Sequence, residues 1–161
     1  MAVDIFLKIG DIKGESTDAK HPGEIEIESF SFGQAADTTD AGRVGKVSMQ
    51  DFHFVMHMSK ATPPLMQKAA KGDKVASGLD YALLTVRKVG GTQAEFLKIK
   101  FYDALISSFQ NGTAAADPLP PADQFSLWFG KIELSYSPQK LDGSLDAPVF
   151  FRWDRIKGES Y

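Results

Sequence analysis

The feature that most limits what this chain can fold into is a two-residue alternation of large apolar side chains that changes parity part-way along its strands. Val3, Ile5, Leu7 and Ile9 alternate with Asp4, Phe6 and Lys8, which sends the two sets to opposite faces of a strand. Ile25 and Ile27 alternate with Glu24, Glu26 and Glu28, but the next large apolar residues, Phe30 and Phe32, are even-numbered. The strand must therefore bend or bulge near Glu28 and Ser29. The same switch separates Val47 and Met49 from Phe52, Phe54, Met56 and Met58. It recurs between Phe125, Leu127, Phe129 and Ile132, Leu134, Tyr136, with Gly130 at the break. One extra residue swaps a strand's inward face and sharpens its twist, which is how long strands turn the corners of curved sheets. These switches predict a mainly β fold in which curved antiparallel sheets make a barrel-like domain.

Further strands are predicted over residues 81–89 and 96–102, joined across Gly90 and Gly91, the second extending toward Leu105 and Ile106. A last strand covers residues 148–153. One segment breaks the pattern. Thr62 can cap a helix, Pro63 suits its first turn, and Leu65, Met66, Ala69 and Ala70 form an apolar stripe. Lys71 suits the last turn and Gly72 can end it. A single short helix over residues 62–71 is expected, its apolar face laid over one open side of the barrel. Residues 33–45 and 111–122 are short of large apolar side chains and read as exposed loops. The first, taken as an extended loop over residues 34–45, is long enough for a compact domain to point to a functional role. A short tail covers residues 154–161, and the whole length of 161 residues fits one domain.

Charge and composition narrow the function. Eighteen basic against twenty-one acidic residues leave a formal charge of −3, so no field draws in nucleic acid or an anionic membrane. The absence of cysteine excludes disulfides, thiolate metal sites and cysteine nucleophiles, and fits folding in a reducing compartment such as the cytoplasm. The first ten residues carry Asp4 and Lys8 among apolar ones and lack the layout of a secretory signal, and no stretch is apolar for long enough to span a bilayer.

No catalytic, metal or cofactor site emerges. His53 and His57 would share one side of a strand, but no third ligand is near and no glutamate stands between them as in a zinc helix, so they read as surface or packing histidines. The stretch from Asp37 to Gly42 is a poor calcium loop, because Ala41 occupies a position that needs an oxygen ligand and Ser48 stands where a bidentate glutamate belongs. No nucleophile elbow is present, and His21 lies in a turn-rich stretch without an evident partner. Glu24, Glu26 and Glu28 read as a solvated strand face. Ser29 and Ser31 oppose Phe30 and Phe32 across a strand and can line a wet surface. The chain is expected not to be an enzyme. Two other readings stand beside that one: a small-ligand-binding β-barrel, and a hydrolase with a site scattered over strands and loops.

A run of blocks in fixed order adds a resemblance: AVDIFLKIGDIKGES, His21 with EIEIESFSFG, GKVSMQDFHF, KATPPLM, LTVRKVGG, EFLKIKF and KIELSYSPQKLDG. Together they resemble the haemolysin-coregulated proteins (Hcp), the tube subunits of bacterial type VI secretion, from Ala2 to about Trp153. The resemblance implies a β-barrel-like domain with one helix, assembled with copies of itself as a hexameric ring. Rings of this kind stack into a hollow tube inside a contractile sheath, and contraction expels the tube with a VgrG-like spike. Assembly would take place in the bacterial cytoplasm, with release to the extracellular space or a target cell and no signal peptide. Residues 34–45 would reach toward the next ring, and here they carry Asp37, Asp40 and Arg43 where family versions are glycine-rich. Ser29 and Ser31 become candidate lumen contacts for effector proteins. Residues 154–161 leave no room for the C-terminal toxin domain that some members carry.

Overall fold

The computed structural model describes residues 2–38, 40–42, 44–113, 115–116 and 118–161. Eleven strands and one helix follow in the order β1 (Val3–Lys8), β2 (Ile25–Glu26), β3 (Ser29–Ser31), β4 (Gln34–Thr38), β5 (Val44–Met49), β6 (Phe52–His57), α1 (Thr62–Lys71), β7 (Lys74–Lys88), β8 (Glu95–Gly112), β9 (Ala122–Trp128), β10 (Lys131–Tyr136) and β11 (Val149–Asp154). Nine of the strands form one antiparallel sheet with the path β2-β1-β7-β8-β9-β6-β3, from which β10 branches between β8 and β11. The sheet is strongly bent, yet it does not close on itself. Its path ends at β2 and β3, and β11 is a third free edge.

Every parity switch in the sequence is a place where the chain changes partner. Before Glu28 the chain pairs with β1, and after it with β6. The break at residues 50–51 separates β5, paired with β4, from β6, paired with β3 and β9. Phe129 and Gly130 separate β9 from β10, and both strands lie along β8. β8 meets them by bending in turn. Residues 97–102 pair with β10 and residues 105–112 with β9. At the corner Asp103 takes a φ of 51°, a left-handed backbone that few non-glycine residues adopt. A second irregularity lies between Ile106 and Ser108. The core-facing residues of β8 accordingly run Ile99, Phe101, Ala104, Ile106, Phe109, changing parity twice.

The core is aromatic. Phe52, Phe54, Phe101, Phe125 and Phe129 are all fully buried, and removing one such side chain from water stabilises the fold by roughly 1.5–3 kcal/mol. Phe54 stacks on Phe125 at 5.1 Å and meets Phe101 edge-on at 6.2 Å, while Phe52 stacks on Phe30 at 5.5 Å and Phe32 at 5.3 Å.

Three sequence expectations are corrected. Residues 34–45 are largely an antiparallel ribbon and not an irregular loop: β4 and β5 pair through Gln34–Met49, Ala35–Ser48 and Ala36–Val47. The ribbon stands apart from the main sheet, so most of its residues need no apolar side chain and leave no alternation to read. Thr62 is the first residue of α1 and not its cap. Ala61 holds the cap position, and the Thr62 hydroxyl donates to Asp123 Oδ2 at 2.5 Å. The expected helix stripe is narrower than four residues, because Leu65 is buried and Ala69 half-buried whereas Met66 and Ala70 are exposed. The stop signal works as read: Gly72 adopts φ 68°, where a Cβ would strain the backbone, and its N–H reaches back to Ala69 O.

Candidate functional site

β3, β6, β9 and the second half of β8 lie side by side, and residues directly opposite one another in an antiparallel pair project to the same face. One face carries the row Phe30, Phe54, Phe125, Phe109 and belongs to the core. The opposite face carries two rows, Ser31, His53, Ser126, Ser108 and Ser29, Val55, Gln124, Gln110. Ser29, Ser31, Ser108, Gln110 and Gln124 are exposed. The two rows are polar except for Val55 and contain no Asp, Glu, Lys or Arg. His53 Nδ1 lies 3.2 Å from Ser126 Oγ, and Ser108 Oγ donates to Ser126 Oγ at 2.9 Å, so the row is tied across three strands.

Ser29 and Ser31 therefore sit on the outermost strand of a wider band. Their partners in it were not visible in the sequence, because Ser108, Gln110, Gln124 and Ser126 lie more than seventy residues away along the chain. The available signal was local: each is the polar neighbour of Phe109 or Phe125. His57 stands at the end of β6, 3.3 Å from Pro120 O and 3.4 Å from Glu28, apart from the serine row. Among the described residues no group of three or more histidine and carboxylate side chains is arranged to hold a metal ion.

Asp37 and Asp40 are not part of this band. Asp37 lies on β4, with its side chain outside the described part, Asp40 is exposed in the turn after β4, and Arg43 falls outside the described residues. β3 and β6 are antiparallel with Ser31 opposite His53, so the ribbon leaves the sheet at the Ser31 end and α1 follows at the His57 end.

A second polar cluster, unsuspected from sequence, ties residues 14–24 to the sheet around two buried side chains, His21 and Arg87. His21 stacks on Phe6 at 4.5 Å, its Nδ1 lies 2.8 Å from Glu24 and its Nε2 lies 2.6 Å from Glu95. Burial opposes ionisation of Glu95, but the hydrogen bond to His21 and the charge of Lys98 outweigh it and hold the carboxyl below its ordinary value. Beside it Arg87, only 3% exposed, reaches Asp18 through both terminal nitrogens and Asp4 through Nε and Nη2, with its guanidinium 4.9 Å from the Phe6 ring centre. The cluster clips the β1–β2 connection onto β7 and β8.

The Arg87 hydrogen bond, helped by the backbone N–H of Lys20, lowers Asp18 from 3.8 to about 2. A carboxyl depressed by folding contributes stability that is complete above its unfolded value and fades as pH falls through its folded value. The urea midpoint is therefore expected to drop between about pH 4 and pH 2, and Arg87→Met should flatten that drop. An equally steep acid limb in the variant would show that the clip is not responsible.

The architecture and the sequence lead to the same relatives. A family model described as the type VI secretion system effector Hcp matches residues 6–136. The chain belongs to the Hcp family. Protein hcp1 of Pseudomonas aeruginosa is 37% identical over 160 residues, covering 96% of both chains. Hcp1 from Salmonella typhimurium superposes with a TM-score of 0.78 at 26% identity over all of both chains. A protein described only as a type six secretion system protein has the same fold, with a TM-score of 0.90 at 24% identity over 99% of this chain and all of its own. As an Hcp protein the chain is a type VI secretion component, and its mainly β fold with one short helix is that of the family. Among its described residues no helix is long and apolar enough to cross a membrane.

Proposed function

We propose that this Hcp protein is a structural tube subunit that works as a closed ring of six copies and not as a catalyst. One observation carries the reading: the polar face made by β3, β6, β9 and β8 has two unpaired edges. Among the described residues β3 pairs only with β6, and residues 107–112 of β8 pair only with β9. Exposed strand edges are a liability in a lone subunit, and head-to-tail contacts around a closed ring satisfy them repeatedly. A ring closed in this way turns the polar face into the wall of a bore. The bore carries effector proteins, with Ser29 and Ser31 as contacts and Ser126 and His53 beside them. Rings stack through the ribbon that bears Asp37, Asp40 and Arg43. A contractile sheath surrounds the stack, a VgrG-like spike tips it, and the protein leaves the cytoplasm with that machine and without a signal peptide.

The small-ligand barrel fits less well, because phenylalanines fill the interior where a ligand would lie. Light scattering should give a mass six times the 17.6 kDa of one chain, with annular particles in negative stain. A monomer at high concentration would remove the reading. Ser31→Trp is expected to keep that mass and lose cargo capture, since the side chain is exposed and crowds the bore without touching the core. Undiminished capture would exclude Ser31 as a contact.

A further inference from the structure

α1 packs against β8 and is tied to β9 through Thr62. Leu65 joins the aromatic core, and Thr62 bonds Asp123, which projects on the same side as Phe125. Its other flank is open. A groove of about 520 Å³ runs there between the helix and residues 11–13, with Ile12 and Pro64 in its lining. The cations Lys13, Lys60, Lys68 and Lys71 line it against only two anions, Asp11 and Asp73, in a chain whose formal charge is −3.

None of these lysines forms an ion pair among the described residues, which leaves their charges free for an outside partner; the same holds for Lys8, Lys20, Lys88, Lys131, Lys140 and Lys157, but those do not line this groove. The helix explains part of the pattern. Lys68 and Lys71 lie in its last turn, where cations complement the negative end of the macrodipole. Lys60 lies just before Ala61 at the cap, beside the positive end, and the first turn holds no acidic residue to offset it. Lys13 belongs to another segment altogether. Local helix electrostatics favours two of the four cations, disfavours one, whose backbone N–H bonds Glu15 at 3.4 Å, and does not involve the last, so it does not by itself account for their gathering along one groove.

We propose that this groove is a docking site for a short acidic segment of a partner protein. The inference rests on the ring reading in one respect: if the serine face lines the bore, the groove lies on the outside, where a surrounding protein meets it. The ten residues of α1 span about 15 Å, the length of four or five residues of extended chain. Alternate carboxylates of such a segment meet the lysines while the side chains between them cover the exposed Pro64. A segment of that length fits within the basic strip. Duplex nucleic acid and an anionic bilayer are much larger and would also press against the carboxylates of Glu15, Glu26 and Glu28, which line a cavity together with Ser59, next to Lys60.

The test is fluorescence anisotropy with a labelled peptide of alternating glutamate and leucine, read at about 50 mM and about 300 mM salt. Lys60→Glu with Lys68→Glu is expected to weaken binding about tenfold or more, while Lys140→Glu with Lys157→Glu, equal in charge and outside the groove, changes it less than about twofold. Higher salt should weaken the wild type and leave the groove variant nearly unmoved. Equal losses in the two variants, or no binding by the wild type at low salt, overturns the proposal. So does single-stranded DNA or a phosphatidylserine vesicle that outcompetes the peptide at matched charge. Light scattering on the same samples keeps the two readings apart: a monomeric wild type ends the ring model, while the peptide result still decides the groove.

Discussion

Phe54→Ala is expected to lower the free energy of unfolding by about 3–5 kcal/mol, the range for truncating a fully buried aromatic side chain. Phe54 is 0% exposed and sits at the centre of the sheet that carries the serine face, opposite Phe30 on one neighbour and Phe125 on the other. Its ring touches Phe52, Phe101 and Phe125 at centroid distances of 5.2, 6.2 and 5.1 Å. Two of those neighbours lie on other strands, so collapse around the lost ring would have to move backbone that ladder hydrogen bonds hold in place. The cavity should therefore stay largely open. Urea denaturation checks this: the midpoint should fall with the slope unchanged, the mark of lost stability and not of a changed denatured state. Phe30→Ala, on the three-residue edge strand and only half-buried, should cost clearly less. Equal losses at the two positions would mean that the core is not organised around β6 and β9.

How much of this was legible in the sequence depended on whether a signal was local. Val3 to Ile9 and Phe52 to Met58 could be read as strands because alternation needs only a strand's own residues. The parity switches at residues 28, 50 and 130 marked the corners. The two corners inside β8 were harder. Asp103 and Ser107 are extra residues in a strand whose apolar members, Phe101, Ala104 and Ile106, blur into one run. The ribbon of β4 and β5 was missed for the opposite reason: it has little core side, and turn-forming residues dominate its tip. The serine face was half legible, since parity placed Ser29 and Ser31 away from Phe30 and Phe32, but only strand register joins them to Ser126 and Ser108. His21, Glu24 and Glu95 meet because β1, β7 and β8 are neighbours, which no spacing in the sequence announces.

The anchor of α1 offers the second large effect. Thr62 is 3% exposed and Asp123 is 0% exposed, and among the described residues the hydroxyl bond of 2.5 Å is the hydrogen bond that the carboxylate receives, since Asp123 Oδ1 has no partner there. Thr62→Val keeps the shape and removes the donor, leaving a buried carboxylate with both oxygens unsatisfied. A hydrogen bond to a charged group contributes roughly 1.5–3 kcal/mol, and orphaning a buried partner costs at least as much, so a loss of about 2–3 kcal/mol is expected. Thr62 also accepts the Ser59 N–H at 3.1 Å, so the same change loosens the turn that leads from β6 into the helix. Hydrogen exchange should accelerate first in α1 and residues 58–61, ahead of β9. Asp123→Leu separates the two causes: replacing both partners by apolar groups removes the unmet carboxylate, so the double variant should be more stable than Thr62→Val alone. If the two losses simply add, the pair is not coupled. α1 would then be held by Leu65 and Ala69 alone, and the short bond to Asp123 would be a consequence of the helix's position and not its cause.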